Sequence, residues 1–133
     1  MSAGRLLLLC ERDGFGPWQQ AVSAAAAAIA QGDRVDLVLF HGALARLLDQ
    51  RLDEIEDSTH AGAAREAIES GRVAAVSQIL DAARSQGLGV FACSASVALL
   101  GREPAEALEV VDEVVGWPSI LGWMSRADRV LSL

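Results

Sequence analysis

Cys93 is the residue whose type and position most clearly suggest chemistry. It follows the apolar run Val90-Phe91-Ala92 and precedes small residues that favour a helix. In open α/β sheets, ligands bind at the carboxyl ends of the strands. Amide groups and the dipole at a helix start favour a thiolate and would equally stabilise a persulfide anion. Free cysteines are more often buried and inert, so position alone leaves both interpretations of Cys93 open.

Other polar and aromatic residues follow the other predicted strands, and the same rule predicts that they share one rim with Cys93. We expect His41 to assist proton balance and the loop of residues 11–18 to control access to the thiol. Trp117 could wall a pocket, join an oligomer contact or simply pack in the core. The predicted rim consists of Asp13, Gly14, Gly16, His41, Ser94 and Trp117.

The composition excludes several kinds of chemistry. All 11 basic residues are arginine, so neither a Schiff-base lysine nor a Walker A lysine exists here. Tyrosine is also absent, which removes phenolic acid–base catalysis. The net charge of −7 repels phosphate backbones and argues against nucleic acid as a partner.

Cofactor and metal sites have only weak support. Gly14-Phe-Gly16 begins a dinucleotide fingerprint, but Gln19 stands at the third glycine position, so nucleotide binding is a poor second hypothesis. Cys10, His41 and Cys93 could hold a metal only if the strand order brings them together, and their spacing has no metal signature. We therefore predict neither a cofactor nor a metal.

Length and composition predict one domain over residues 1–133. The mass of 14.0 kDa fits a domain of ordinary size, and 52% hydrophobic residues suffice for a packed core. No apolar run approaches the roughly 20 residues that cross a bilayer, so no membrane association is expected. Two cysteines without a CxxC pair favour a reducing compartment, and we expect a cytoplasmic protein.

The hydrophobic pattern predicts alternating strands and helices. A helix starting near residue 63 and bent at Gly71 would turn Val73 inward. This alternation indicates a three-layer α/β/α fold with a mostly parallel sheet. Strands are predicted at 6–10, 35–40, 90–92, 114–115 and 129–133, with helices at 18–31, 43–50, about 63–85, 95–100, 104–108 and around 120–124.

Two segments resemble the DsrE/DsrF-like sulfur-relay family, which includes the TusD-type proteins. The first is the cysteine segment Gly89-Val-Phe-Ala-Cys93-Ser-Ala-Ser-Val-Ala-Leu-Leu-Gly101, in which a strand runs into a cysteine and then a small-residue helix. The second is the tail from Val114 to Leu133, with a strand, a short helix and an Ala-Asp pair before the last strand. The alanine-rich first helix is similar but generic.

The resemblance implies a parallel five-stranded sheet between helices and a homo-oligomer, often a trimer or hexamer. It also implies that Cys93 carries sulfur as a persulfide between donor and acceptor proteins. The apolar composition and the alternating terminal strand independently favour association. The alternative is a non-catalytic ligand-binding or assembly module of the same fold, in which Cys93 is buried and unreactive.

Overall fold

A computed structural model describes residues 4–133, so the first three residues of the predicted domain lie outside the described chain. Its centre is a five-stranded sheet in which every pair of neighbouring strands is parallel. The order across the sheet is β4-β3-β2-β1-β5. The strands are β1 (Arg5–Cys10), β2 (Arg34–Leu39), β3 (Gly89–Cys93), β4 (Glu113–Val115) and β5 (Arg129–Ser132).

Between residues 4 and 133, seven helices connect these strands and confirm the predicted three-layer α/β fold. The longest, α1, begins with a turn of helix around Pro17 and continues through the alanine-rich segment that the sequence predicted to be helical. The helices are α1 (Phe15–Ala30), α2 (His41–Leu48), α3 (Ala61–Glu69), α4 (Val76–Ser85), α5 (Ser94–Leu99), α6 (Pro104–Ala107) and α7 (Trp117–Arg126).

The strand order decides which face of the sheet each helix covers. From β1 to β4 the chain adds strands in one direction, and right-handed crossovers place the intervening helices on one face. The chain then returns past β1 to form β5, so the same handedness places α7 on the opposite face. We call the side of Leu6, Leu8 and Cys10 the first face, and the side of Leu7 and Leu9 the second face.

The first face holds the larger core. Side chains of α1, α2 and α4 pack there against alternate residues of β1, β2 and β3. Trp18 is completely buried, and its indole Nε1–H donates a hydrogen bond to the carbonyl oxygen of Ala43 at 3.0 Å. That bond joins the start of α1 to the start of α2. It therefore fixes the two loops that leave the carboxyl ends of β1 and β2.

Several predicted helices differ from the observed ones in their bounds, and one differs in its continuity. Helix α1 begins three residues before the predicted Trp18, because Phe15 and Gly16 join its first turn. The helix predicted to bend at Gly71 is instead broken into α3 and α4, and Gly71 has a φ of 81° that ordinary residues rarely adopt. Val73 lies in that break and is exposed, contrary to the predicted inward orientation. Within residues 4–133, no helix is long and apolar enough to span a membrane.

Candidate functional site

The carboxyl edge of the sheet contains a crevice at the point where the strand order reverses. Successive strands spread from β1 toward β4, whereas β5 lies on the other side of β1, so the reversal falls between β1 and β5. Such reversals are the usual ligand sites of open α/β sheets. A cavity of about 150 Å³ lies there, lined by Leu9, Glu11, Phe40, Trp117, Ser132 and Leu133.

Cys93 ends β3 at this same edge, in the predicted position between a strand and a helix. Cys93 is only 2% exposed, whereas a sulfur carrier is expected to present an accessible thiol. The side chain belongs to the apolar cluster of the second face, together with Phe40, Val115 and Ile120. The described conformation is therefore one in which the thiol is covered.

The predicted contact between the thiol and the start of α5 is not formed. Cys93 is the N-cap residue of α5, but its side chain makes no capping hydrogen bond. The reason lies in the alternation of side chains along β3, which turns Cys93 toward the second face. Helix α5 instead packs beside α2 and α6, and its Val97 belongs to the core of the first face.

Aromatic pairs cover the apolar cluster that contains Cys93. The rings of Phe40 and Trp117 are stacked, with centroids 5.4 Å apart and an interplanar angle of 26°. Phe40 is buried, but Trp117 is 46% exposed at the first residue of α7. A second pair, Phe91 and Trp123, lies farther down the same face with centroids 4.7 Å apart. Phe40 belongs to this cluster, and Phe91 and Trp123 pack against it.

Ser94 and Trp117 are the predicted rim residues that the structure brings close to Cys93. Ser94 is exposed and follows Cys93 directly. A Cβ built on Gly116 would lie 3.7 Å from the Ser94 hydroxyl oxygen, so the loops after β3 and β4 adjoin. Trp117 follows Gly116 and begins α7. The rim beside Cys93 therefore combines a hydroxyl group with an exposed indole.

The remaining predicted rim residues lie elsewhere or lack a contact with the thiol. Asp13 accepts a hydrogen bond from Arg46 Nε at 2.9 Å and packs against Gly42, where a Cβ would lie 2.7 Å from Asp13 Cβ. Gly14 and Gly16 belong to the same segment, at the start of α1. His41 is exposed and has a φ of 38°, and its imidazole makes no hydrogen bond or ion pair to any residue in 4–133. The proton-transfer role expected of His41 gains no support from these positions.

Arg46 organises this edge of the sheet, and the sequence analysis did not identify it. It is 1% exposed, and its guanidinium donates hydrogen bonds to the backbone oxygens of Arg51 and Glu54 at 2.7 and 2.8 Å. It also donates a hydrogen bond to Glu56 Oε1 at 2.6 Å, and the same carboxylate accepts a hydrogen bond from the Phe15 amide at the start of α1. The acidic segment that contains Glu54 and Glu56 therefore fixes the loop after β1. The available signal was an arginine on the apolar stripe of α2 followed closely by several acids.

Cys10 and Cys93 lie on opposite faces of the sheet, so the two thiols cannot act together at one site. Cys10 is completely buried in the first-face core, and burial raises the pKa of its thiol to about 11 despite the opposing charge of Arg12. A shared metal or a disulfide would have to pass through the sheet. Within the described chain, no group of three or more histidine, cysteine or acidic residues could hold a metal ion.

Comparison with known proteins identifies the family. The model of the DsrE/DsrF-like family matches residues 13–133, which include all the candidate site residues. The chain belongs to the DsrE/DsrF-like family. The resemblance found in the cysteine segment and the tail is therefore confirmed. No protein with a curated description matches the sequence significantly.

A solved structure shares the DsrE/DsrF-like fold. It is a protein of unknown function, MTH1491, from Methanobacterium thermoautotrophicum. The two chains are 18% identical and superpose with a TM-score of 0.62, covering 98% of this chain and 99% of the other. At this level of identity the likeness concerns the fold alone.

Proposed function

We propose that this DsrE/DsrF-like protein is a sulfur carrier that holds sulfane sulfur on Cys93. The observation that carries the proposal is the position of Cys93, at the carboxyl end of an inner strand of a DsrE/DsrF-like sheet. The residue lies beside an exposed hydroxyl and an exposed indole, whereas the other cysteine lies in the opposite core. Only Cys93 therefore combines a strand-end position with a nearby surface.

The proposed reaction is a thiol–persulfide exchange. The Cys93 thiolate attacks the outer sulfur of a donor persulfide, and a new S–S bond forms as the bond between the donor's two sulfurs breaks. The donor leaves as a thiolate that takes up a proton, and the Cys93 persulfide remains. An acceptor thiolate then attacks the terminal sulfur and restores Cys93. No external oxidant or reductant is needed, because sulfane sulfur only changes its carrier.

Exchange requires that the aromatic cover opens. Cys93 is 2% exposed and belongs to the same apolar cluster as Phe40, which stacks on Trp117, so we expect access to the thiol to require movement of this stack. Trp117 is the movable member of the pair by position, since it is half exposed at the start of α7 and follows Gly116. Docking of a donor protein on this exposed ring would couple its binding to exposure of the thiol.

The burial of Cys93 also supports an alternative function. A DsrE/DsrF-like domain can keep its fold and use the crevice between β1 and β5 to bind a small ligand or partner. In that case the thiol is a packing group of the second-face cluster, like Val115 and Ile120. The two functions differ in whether native Cys93 reacts at all.

Sulfur loading followed by mass spectrometry tests the proposal. We expect the native protein, incubated with polysulfide and digested under non-reducing conditions, to gain one sulfur atom on the peptide that contains Cys93. Cys93→Ser should abolish the gain. Cys10→Ser is the matched control, because it removes a thiol of similar burial from the other face and should leave loading unchanged.

Two results would refute the sulfur-carrier proposal. One is loading that persists in the Cys93→Ser variant. The other is native Cys93 that neither gains sulfur nor reacts with a small alkylating reagent while unfolded protein does both. The second result would favour the non-catalytic binding module.

A further inference from the structure

A second cavity lies on the second face of the sheet, away from the carboxyl edge. It occupies about 440 Å³ between the last turns of α7 and the amino-terminal halves of β1, β2 and β3. Its position follows from the fold, because a single helix of ten residues covers this face and leaves a strip of the sheet beside it uncovered. No step of the proposed sulfur exchange uses it.

Three arginine side chains share the polar lining of this cavity with three acidic ones. Arg5 and Arg34 are register partners at the starts of β1 and β2. The next residue of each strand points to the first face, and because side chains alternate along a strand, both arginines point to the second face. Arg126 is on the last turn of α7, and its guanidinium lies over Gly122, where a Cβ would be 3.7 Å from Nη1. Among residues 4–133, the guanidiniums of Arg5 and Arg126 form no ion pair.

The acidic groups of the lining are mostly engaged. Asp112 accepts hydrogen bonds from Arg84 and from the Val90 amide, at 3.0 and 2.8 Å. Asp36 lies 4.0 Å from Arg34, and burial raises the pKa of its carboxyl, with Arg34 and Arg5 opposing. The three arginines and three acids of the lining balance in number, but Asp112 is paired with Arg84 from outside the lining and Asp36 lies nearest to Arg34. Arg5 and Arg126 therefore face Glu113 as the remaining acid of the lining.

The remaining wall is apolar and aromatic. Leu7 forms part of the floor, and the tilted pair of Phe91 and Trp123 separates the cavity from the cluster around Cys93. Aromatic rings in such a wall favour a flat or apolar ligand body, and guanidinium groups favour a carboxylate or phosphate. A cavity of this volume matches the usual size of small-molecule sites.

We propose that this cavity binds a small organic anion, with Arg5 and Arg126 contacting its carboxylate or phosphate group and Trp123 and Phe91 contacting its planar body. The anionic group enters from the open amino-terminal edge of the sheet, where the two arginines lie. The site is independent of the sulfur chemistry, since its lining does not include Cys93, Phe40 or Trp117.

Nuclear magnetic resonance titration of the full chain with benzoate tests this site. The indole Nε1–H of Trp123 should shift saturably, whereas that of Trp18 is an internal reference because it is buried and bonded to Ala43. Benzamide has the same shape without the charge, and we expect it to bind at least about tenfold more weakly. Phenyl phosphate distinguishes a preference for phosphate from one for carboxylate.

Charge-removing variants complete the test. Arg126→Gln and Arg5→Gln should each weaken benzoate binding by about tenfold. Arg72→Gln changes the net charge equally in an exposed loop and should leave binding unchanged. The proposal fails if benzoate gives no saturable shift. It fails equally if the shift is absent because a second copy of the chain covers this face. It also fails if benzamide binds equally well or if both cavity variants bind like the native protein.

Discussion

The two faces of the sheet differ in how thoroughly they are covered. Helices α1, α2, α4, α5 and α6 contribute to the first face, where 24 buried hydrophobic residues of the described chain form one cluster, whereas α7 is the helix of the six-residue cluster on the second face. The crevice beside Trp117, the cavity beside Arg126, both aromatic pairs and the Cys93 thiol lie on the thinly covered side. A single crossover in the opposite direction thus places the thinner cover on the face that carries Cys93 and the proposed anion site.

The two cysteines show the same contrast in one residue type. Both end a buried parallel strand, and both are nearly inaccessible. Cys10 lies beneath the helices of the first face, where burial holds its thiol in the neutral form. Cys93 lies beneath one helix and a stacked aromatic pair, which are fewer groups to displace. The coverage of each face, more than the exposed area of each thiol, distinguishes them.

The largest expected effect comes from adjacent leucines on opposite faces. Leu8→Ala should destabilise the fold by about 4 kcal/mol, because the dense first-face core cannot close the cavity that it leaves. Leu7→Ala should cost about 2 kcal/mol, since Leu7 already borders a cavity under the single helix α7. Denaturant unfolding of both variants measures the difference. Equal losses, or a larger loss for Leu7→Ala, would contradict the contrast between the faces.

The next largest effect is alkaline destabilisation through Cys10. Burial raises its pKa from 9.0 to about 11 in the folded state, so its contribution to stability is present below pH 9 and is lost as the pH rises to about 11. We expect a loss of about 3 kcal/mol in unfolding free energy across this window. The absence of lysine and tyrosine leaves the cysteines as the only side chains that ordinarily titrate there.

Matched cysteine variants assign that pH dependence. Cys10→Ala should flatten the unfolding free energy between pH 9 and pH 11, and Cys93→Ala should retain most of the decline. A decline that survives in Cys10→Ala would show that another group is responsible.

Much of the fold could be predicted because strand burial leaves a strong pattern in this sequence. The run of residues 6–10 and the strand that ends at Cys93 are continuously apolar, as strands covered on both faces must be. Glycines with positive φ then mark the ends of α1 and α5, at Gly32 and Gly101. These signals are local, so the predicted order of elements and the α/β class are confirmed.

The arrangement of the site was harder to predict because it depends on which face each strand presents. A cysteine at the end of a continuously apolar strand can turn to either face, and no period-2 alternation reveals the choice. The role of Arg46 is equally non-local, since its partners lie in two separate loops. Position at a strand end could therefore be predicted for Cys93, whereas its burial and the distance of Asp13 from it could not.

A smaller effect is expected from opening the aromatic cover of Cys93. Trp117→Ala removes the stacking partner of Phe40 and should cost only about 1 kcal/mol, because the indole is half exposed. The same change should accelerate alkylation of native Cys93 several-fold. Leu121→Ala, which removes another exposed side chain of α7, is the control and should leave the rate unchanged. Identical alkylation rates in both variants would show that the Phe40–Trp117 stack does not limit access.

The smallest effect concerns the half-buried carboxyl of the second face. Because burial raises the pKa of Asp36, its favourable contribution exists below the ordinary value of 3.8 and is lost as the pH rises through the folded value. Asp36→Asn should therefore gain stability relative to the native protein on going from acidic to neutral pH. The gain should stay within about 1 kcal/mol, since the substitution also removes the weak 4.0 Å pair with Arg34. Asp81→Asn, on the exposed side of α4, corrects for the change in net charge. If the variant instead loses stability relative to the native protein between acidic and neutral pH, the charges of Arg34 and Arg5 outweigh the effect of burial on the Asp36 carboxyl. The second face would then solvate its charges better than cover by a single helix implies.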